Sequence, residues 1–106
     1  MNRNAKQEFI DHVADTGLTV ECAMLEIDYG WGESDTIGLA IAYSADQVAT
    51  FFTALDFQYD EGYGLQFING YIWYTDGSWS ERHEYDGSEW WEHKKAPSIP
   101  AELRGE

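Results

Sequence analysis

Apolar and polar residues along the chain change their period several times, and each change marks an element. Phe9, Ile10, Val13 and Ala14 recur at helical spacing and predict a helix over residues 5–15. Asn4 stands at its N-cap, Gln7 is the reciprocal partner of a capping box, and Gly17 offers a left-handed stop. From Leu18 the period drops to two. Leu18, Val20, Cys22 and Met24 hold one parity, then Leu25, Ile27 and Tyr29 take the other. That switch predicts a strand over 18–29 containing a bulge or a change of packing environment. GWGESD (30–35) reads as a turn into a second strand, TIGLAIAYS, where Ile37, Leu39, Ile41 and Tyr43 alternate with Gly38, Ala40 and Ala42. A face of such small residues admits a helix closely and predicts cover on both sides of the sheet.

Ser44 and Gln47 repeat the capping-box spacing, and Val48, Phe51, Phe52 and Leu55 form one helical face. They predict a second helix with both phenylalanines in the core. DFQYDEGYG (56–64) reads as an acidic, aromatic connection. Three strand candidates follow, 65–75, 78–85 and 88–95, divided by Asp76-Gly77 and Asp86-Gly87, dipeptides that favour hairpins. Both prolines lie in the last segment, which is expected to be an extended C-terminal arm (96–106). The order α-β-β-α-β-β-β predicts a single α+β domain over 1–106. In it a twisted antiparallel sheet of about five strands carries both helices.

Two-residue turns would set Tyr85 opposite Ser88, Glu84 opposite Glu89, His83 opposite Trp90, Arg82 opposite Trp91 and Glu81 opposite Glu92. In the first hairpin they would set Tyr74 opposite Trp79 and Tyr71 opposite Arg82, leaving Arg82 between two rings. A three-residue turn with a glycine bulge is the alternative and would change the pairings. In the two-residue register, Trp79, Glu81, His83, Tyr85, Trp90 and Glu92 share one face. Ser78, Ser80, Arg82, Glu84, Glu89, Trp91 and His93 share the other. Carboxylates directly opposite carboxylates are destabilising, so either the register differs or a cationic partner relieves them. Trp73 and Trp90 are expected to pack under the helices, and Trp91 to face the other way.

Composition narrows the function classes. The 106 residues are 43% hydrophobic and 16% aromatic, enough for a core without metals or disulfides. Twenty Asp and Glu oppose six Lys and Arg, a formal charge of −14. That charge excludes direct binding of nucleic acid or an anionic membrane, both of which need cations. It fits either plain solubility or a basic partner. The lone Cys22 builds no disulfide within the chain and suits a reducing interior. The N-terminal residues lack an apolar signal core, and no run approaches the length of a membrane span. A cytoplasmic protein is the expectation.

Enzyme signals are weak. There is no nucleophile elbow and no HExxH, and DYGWGE lacks the third glycine of a dinucleotide fingerprint and the lysine of a phosphate loop. No cofactor is implied. His83 and His93 with Glu81, Glu84 or Glu92 offer the alternative reading, a small enzyme or metal-binding domain on the C-terminal hairpins, at spacings that match no zinc pattern. His12 reads as a surface or boundary residue. The binding reading is better supported: tryptophans give contact area, and carboxylates steer a basic partner. The expected partner-binding residues are Asp60, Glu61, Glu81, Glu84, Asp86, Glu89, Trp91 and Glu92. A homodimer through the aromatic sheet face is a further reading.

GYIWYTDGSW and ERHEYDGSEWWEHKKAPSIP, with the preceding LDFQYDEGYG, resemble a small acidic protein encoded by tailed bacteriophages. The resemblance covers roughly residues 55–100 and implies a phage or prophage setting. It brings no catalytic residues. It implies, by context and charge, an inhibitor of host defence such as CRISPR or restriction that engages a basic, nucleic-acid-binding host protein as a DNA mimic.

Overall fold

The computed structural model describes residues 2–30, 32–60 and 66–105. Helix α1 spans Ala5–Thr16 and α2 spans Ala45–Leu55. The Asn4 side chain accepts the Gln7 N–H at 2.8 Å, and Gly17 closes α1 at φ 68°. The expected reciprocal bond is missing at α1, because the Gln7 amide donates to Asp11 one turn on. At α2 the capping box between Ser44 and Gln47 is complete.

Five strands form the main sheet: β2 (Val20–Gly30), β3 (Glu33–Leu39), β5 (Ile68–Tyr74), β6 (Trp79–Tyr85) and β7 (Ser88–Lys94). Their order is β3-β2-β5-β6-β7 and every pairing is antiparallel. The fold is α+β, as the periodicity predicts. Two three-residue strands escaped the sequence reading: β1 (Asn2–Asn4) pairs with β4 (Gln58–Asp60) as a separate small sheet.

The parity switch in the first long strand is a bulge. The register of β2 against β5 slips between Val20 and Cys22, after which Ala23, Leu25 and Ile27 point into the core and Met24 points out. Gly70 lets β5 run against β2, since a Cβ at its φ of 138° would collide with the Met24 carbonyl. β3 begins earlier than expected and stops at Leu39. Ala42, at φ 65°, then turns the chain toward α2, and Ile41 is left exposed.

Both helices lie on one side of the sheet. Ala5 and Phe9 of α1 and Phe51 and Leu55 of α2 pack on Leu25, Leu39, Ile68, Ile72, Tyr74 and Trp91. α1 lies against β7, and α2 against β3. The predicted cover on both sides is therefore corrected: among the described residues, no helix lies over the face bearing Met24 and Tyr71.

The two Asp-Gly hairpins differ. Asp86 (φ 53°) and Gly87 (φ 85°) form a two-residue turn with positive φ at both positions, and the β6–β7 register is the predicted one. In the first hairpin, the Tyr74 N–H donates to the Ser78 carbonyl around a three-residue loop, and only Gly77 has positive φ. The pairs are Tyr71 with Glu81, Ile72 with Ser80 and Trp73 with Trp79. The two-residue register is thus corrected by one position, which moves Tyr71 away from Arg82 and onto the open face. Beyond Lys94 the arm runs exposed from Lys95 to Gly105, with one 3-10 turn at Ala101–Leu103. No helix among the described residues is long and apolar enough to cross a membrane.

Candidate functional site

The uncovered sheet face is the candidate site. Two rows of side chains cross it. One runs Cys22, Trp73, Trp79, Lys94, and the next runs Met24, Tyr71, Glu81, Glu92, each residue directly opposite its neighbour on the adjoining strand. His83 and Trp90 form a third cross-strand pair. Tyr71 and Trp73 stack at 5.6 Å between centroids, and His83 and Trp90 at 6.2 Å. Met24 is 53% exposed, Tyr71 44% and Trp90 37%. Large apolar groups thus line a surface from which the fold does not withdraw water.

Carboxylates are fixed among these rings. The Trp79 indole N–H donates to Glu81 Oε1 at 3.2 Å, and the Trp90 indole to Glu92 Oε2 at 3.4 Å. The Trp79 bond, with Lys94 and His83 nearby, holds the Glu81 carboxyl below its ordinary pKa, so it is charged at neutral pH. Lys94 Nζ lies 3.6 Å from Glu81 Oε1, and His83 Nε2 lies 3.9 Å from Glu81 and 3.7 Å from Glu92. The repulsion expected of Glu81 opposite Glu92 is therefore eased within the chain. It does not require an outside cation.

The covered face uses the same residue types inside the protein. Arg82, whose side chain has no exposed surface, donates from Nε and Nη2 to Glu89 Oε1 at 3.2 and 2.8 Å. Nη2 also reaches Glu8 Oε1 at 3.1 Å and the Tyr59 hydroxyl at 2.7 Å. The guanidinium lies over the rings of Trp91 (5.2 Å) and Tyr59 (5.8 Å), where the sequence had placed Tyr71. Burial works against its charge, but Glu8, Tyr59 and Glu89 outweigh it and the net pKa shift is upward. Burial and the hydrogen bond to Glu8 push the Tyr59 phenol up, so it remains a donor. Glu89 is further satisfied by the backbone N–H groups of Phe67 and Ile68.

The expected site residues therefore scatter. Glu81 and Glu92 are on the open face. Glu84 is exposed but folds back to accept the Gly87 N–H, and Asp86 is a turn residue with a left-handed backbone. Asp60 belongs to β4, and Glu61 lies outside the described residues. Glu89 (1% exposed) and Trp91 (7%) are corrected: both are interior, because Arg82 draws the carboxylate inward and α1 covers the indole. The two tryptophans thus exchange their expected roles, Trp90 being the open one. The sequence reading missed Tyr71, Trp73 and Trp79 as one platform. The signal was the excess of rings on both parities of 71–74.

Among the described residues, no group of three or more His, Cys, Asp or Glu could hold a metal ion. His93 Nε2 bonds the Ser78 hydroxyl at 2.9 Å, away from His83. His12 is half-buried, with Nε2 2.7 Å from Ser80 Oγ, which also meets the Tyr74 hydroxyl. Ser80 has no exposed surface, so this histidine–serine pair offers no nucleophile to a substrate. Compared with family models, curated proteins and solved structures, the chain matches none of them.

Proposed function

We propose that this chain is a non-enzymatic binding protein whose open sheet face takes a basic segment of a partner protein. The observation that carries the reading is the platform of Tyr71, Trp73, Trp79 and Trp90 with Glu81 and Glu92 fixed among the rings. An arginine or lysine on such a surface gains the ring quadrupole and a carboxylate together. A nucleic acid would gain the rings but meet the repulsion of a chain with a charge of −14. Rings between the carboxylates support capture of cationic side chains more than imitation of a phosphate row. Inhibition of a nucleic-acid-binding host protein, the role implied by the phage resemblance, is the setting in which such a face would act.

Titration of the tryptophan fluorescence with an arginine-rich peptide tests this. Saturable binding is expected to weaken as salt rises. It should weaken again in Tyr71→Ala and in the double variant Glu81→Gln/Glu92→Gln. Binding that is absent, or that ignores these substitutions, would overturn the assignment of the face.

A further inference from the structure

The outer edge of β3 is a surface apart from the ring platform. Among the described residues β3 pairs only with β2, so the backbone N–H and C=O groups on its other side meet no strand. Such an edge is a template for a further strand, and proteins commonly guard it with lysine, proline or a covering element. The opposite edge strand, β7, ends in Lys94 and has α1 packed against it. β3 has neither lysine nor proline. Mostly apolar concavities flank it on both sides. On the helical side a cleft of about 340 Å³ separates β3 from α2, and its lining includes Ile37, Thr50, Phe51 and Ala54. On the open side a hollow of about 350 Å³ is lined in part by Ala23, Met24, Thr36 and Gly38. Successive side chains of a strand point to opposite faces. A strand laid beside β3 would therefore send alternate side chains into the two concavities.

We propose that β3 takes an extended segment of a basic partner protein as an added strand of the sheet. The segment's apolar residues lie beside residues 37–40, and its lysines and arginines beside residues 33–35. Charge selects this occupant. No Lys, Arg or His occurs between His12 and Arg82. β2, β3 and α2 therefore carry Glu21, Glu26, Asp28, Glu33, Asp35 and Asp46 with no cation of their own. The two ends of the edge differ. Ile37, Gly38 and Leu39 make one end apolar, while Glu33 and Asp35, with Asp28 paired to Ser34, make the other acidic. A second copy fits poorly. In a two-fold antiparallel pair, Glu33 and Asp35 of each copy would lie against the apolar end of the other, with no cation from either edge. A nucleic acid has no strand backbone to offer and is repelled by the charge. Every pairing in the main sheet is antiparallel, and the added strand is expected to continue that pattern, apolar half first. Of the rows on the open face, this surface shares only Met24, and it does not depend on the ring platform.

Amide hydrogen exchange, read residue by residue by NMR on the full chain, tests this. The probe is a peptide of about eight residues, with valine and threonine in its first half and lysine and arginine in its second. On titration, exchange should slow at alternate amides of β3. Methylating alternate backbone nitrogens of the peptide gives two further probes. One set should weaken binding at least about tenfold and the other hardly at all, because only every second N–H of a strand faces its neighbour. Replacing the peptide's lysines and arginines with glutamates should abolish binding. No slowing at β3, or equal effects of the two methylated sets, would overturn the added strand. Equal binding of the glutamate peptide would overturn the basic partner. So would slowing of the β3 amides without peptide that grows with protein concentration, since a second copy would then hold the edge. The tryptophan titration reports the ring platform and the β3 amides report this edge, so either surface can fail alone.

Discussion

On the covered face of β6 and β7, Glu89, Arg82 and Trp91 meet in a space closed by α1, and two backbone N–H groups complete the carboxylate. On the open face of the same two strands, Glu81, Glu92, Lys94 and Trp90 are drawn from the same residue types but stand in water. The contrast shows what burial does to identical chemistry. Inside, each charge is obliged to have its partner, because desolvation without one is costly. Outside, solvent screens each pair, and the ions are free to exchange their partners for others. One face is committed to the fold, and the other is available.

Removing a carboxylate from each face tests the contrast most severely. Glu89→Ala strands Arg82 with the half-share of Glu8 and frees the Phe67 and Ile68 N–H groups, so a loss of about 3–5 kcal/mol is expected. Glu92→Ala should stay within about 0.5 kcal/mol. Urea denaturation of both variants measures the difference. Equal losses would mean that the Glu89 cluster adds nothing beyond surface pairing.

A smaller effect concerns the contact between α1 and the sheet, where His12 bonds Ser80. His12 is held below its ordinary pKa by burial first, then by His93 and Arg82, against the opposing pull of Asp15 and Glu8. Between that lowered value and about 6.5, the unfolded chain binds a proton that the folded chain refuses. Stability is therefore full above about pH 6.5 and falls as the pH drops through that window toward the folded value. In His12→Gln this part of the acid dependence should vanish. Melting temperatures of the two proteins from pH 7.5 to 5 check it, and parallel curves would remove His12 as the cause.

How much of this was legible follows from where the information sits. The order of the two helices and the five main strands, both N-caps, the bulge in β2 and the β6–β7 register depend on residues close in sequence, and the local pattern carried them. Asp86-Gly87 needs left-handed backbone at both positions, which that dipeptide supplies. Asp76-Gly77 looks the same but closes a three-residue loop with only Gly77 left-handed. The dipeptide serves both loops, and rings on both parities of β5 hid which register buries Ile72 and Tyr74. Glu89 was misplaced for a different reason. A carboxylate is exposed by default, and the groups that overturn this here come from residues 8, 59, 67, 68 and 82, which only the folded chain brings together.

The smallest expected effect bears directly on the open face. Trp90 and Trp91 are neighbours, and strand geometry forces them to opposite sides. Trp90 touches His83 and donates to Glu92, both in reach of water. Trp90→Ala should cost about 1 kcal/mol or less, the range of a single cross-strand pair. Chemical denaturation checks that value. A larger loss would mean that the ring is part of the fold after all, and the two faces would no longer differ in kind. A small loss combined with weaker capture of an arginine-rich peptide would separate the two roles on a single residue. The ring would then matter to what the face meets and hardly at all to what the strands hold together.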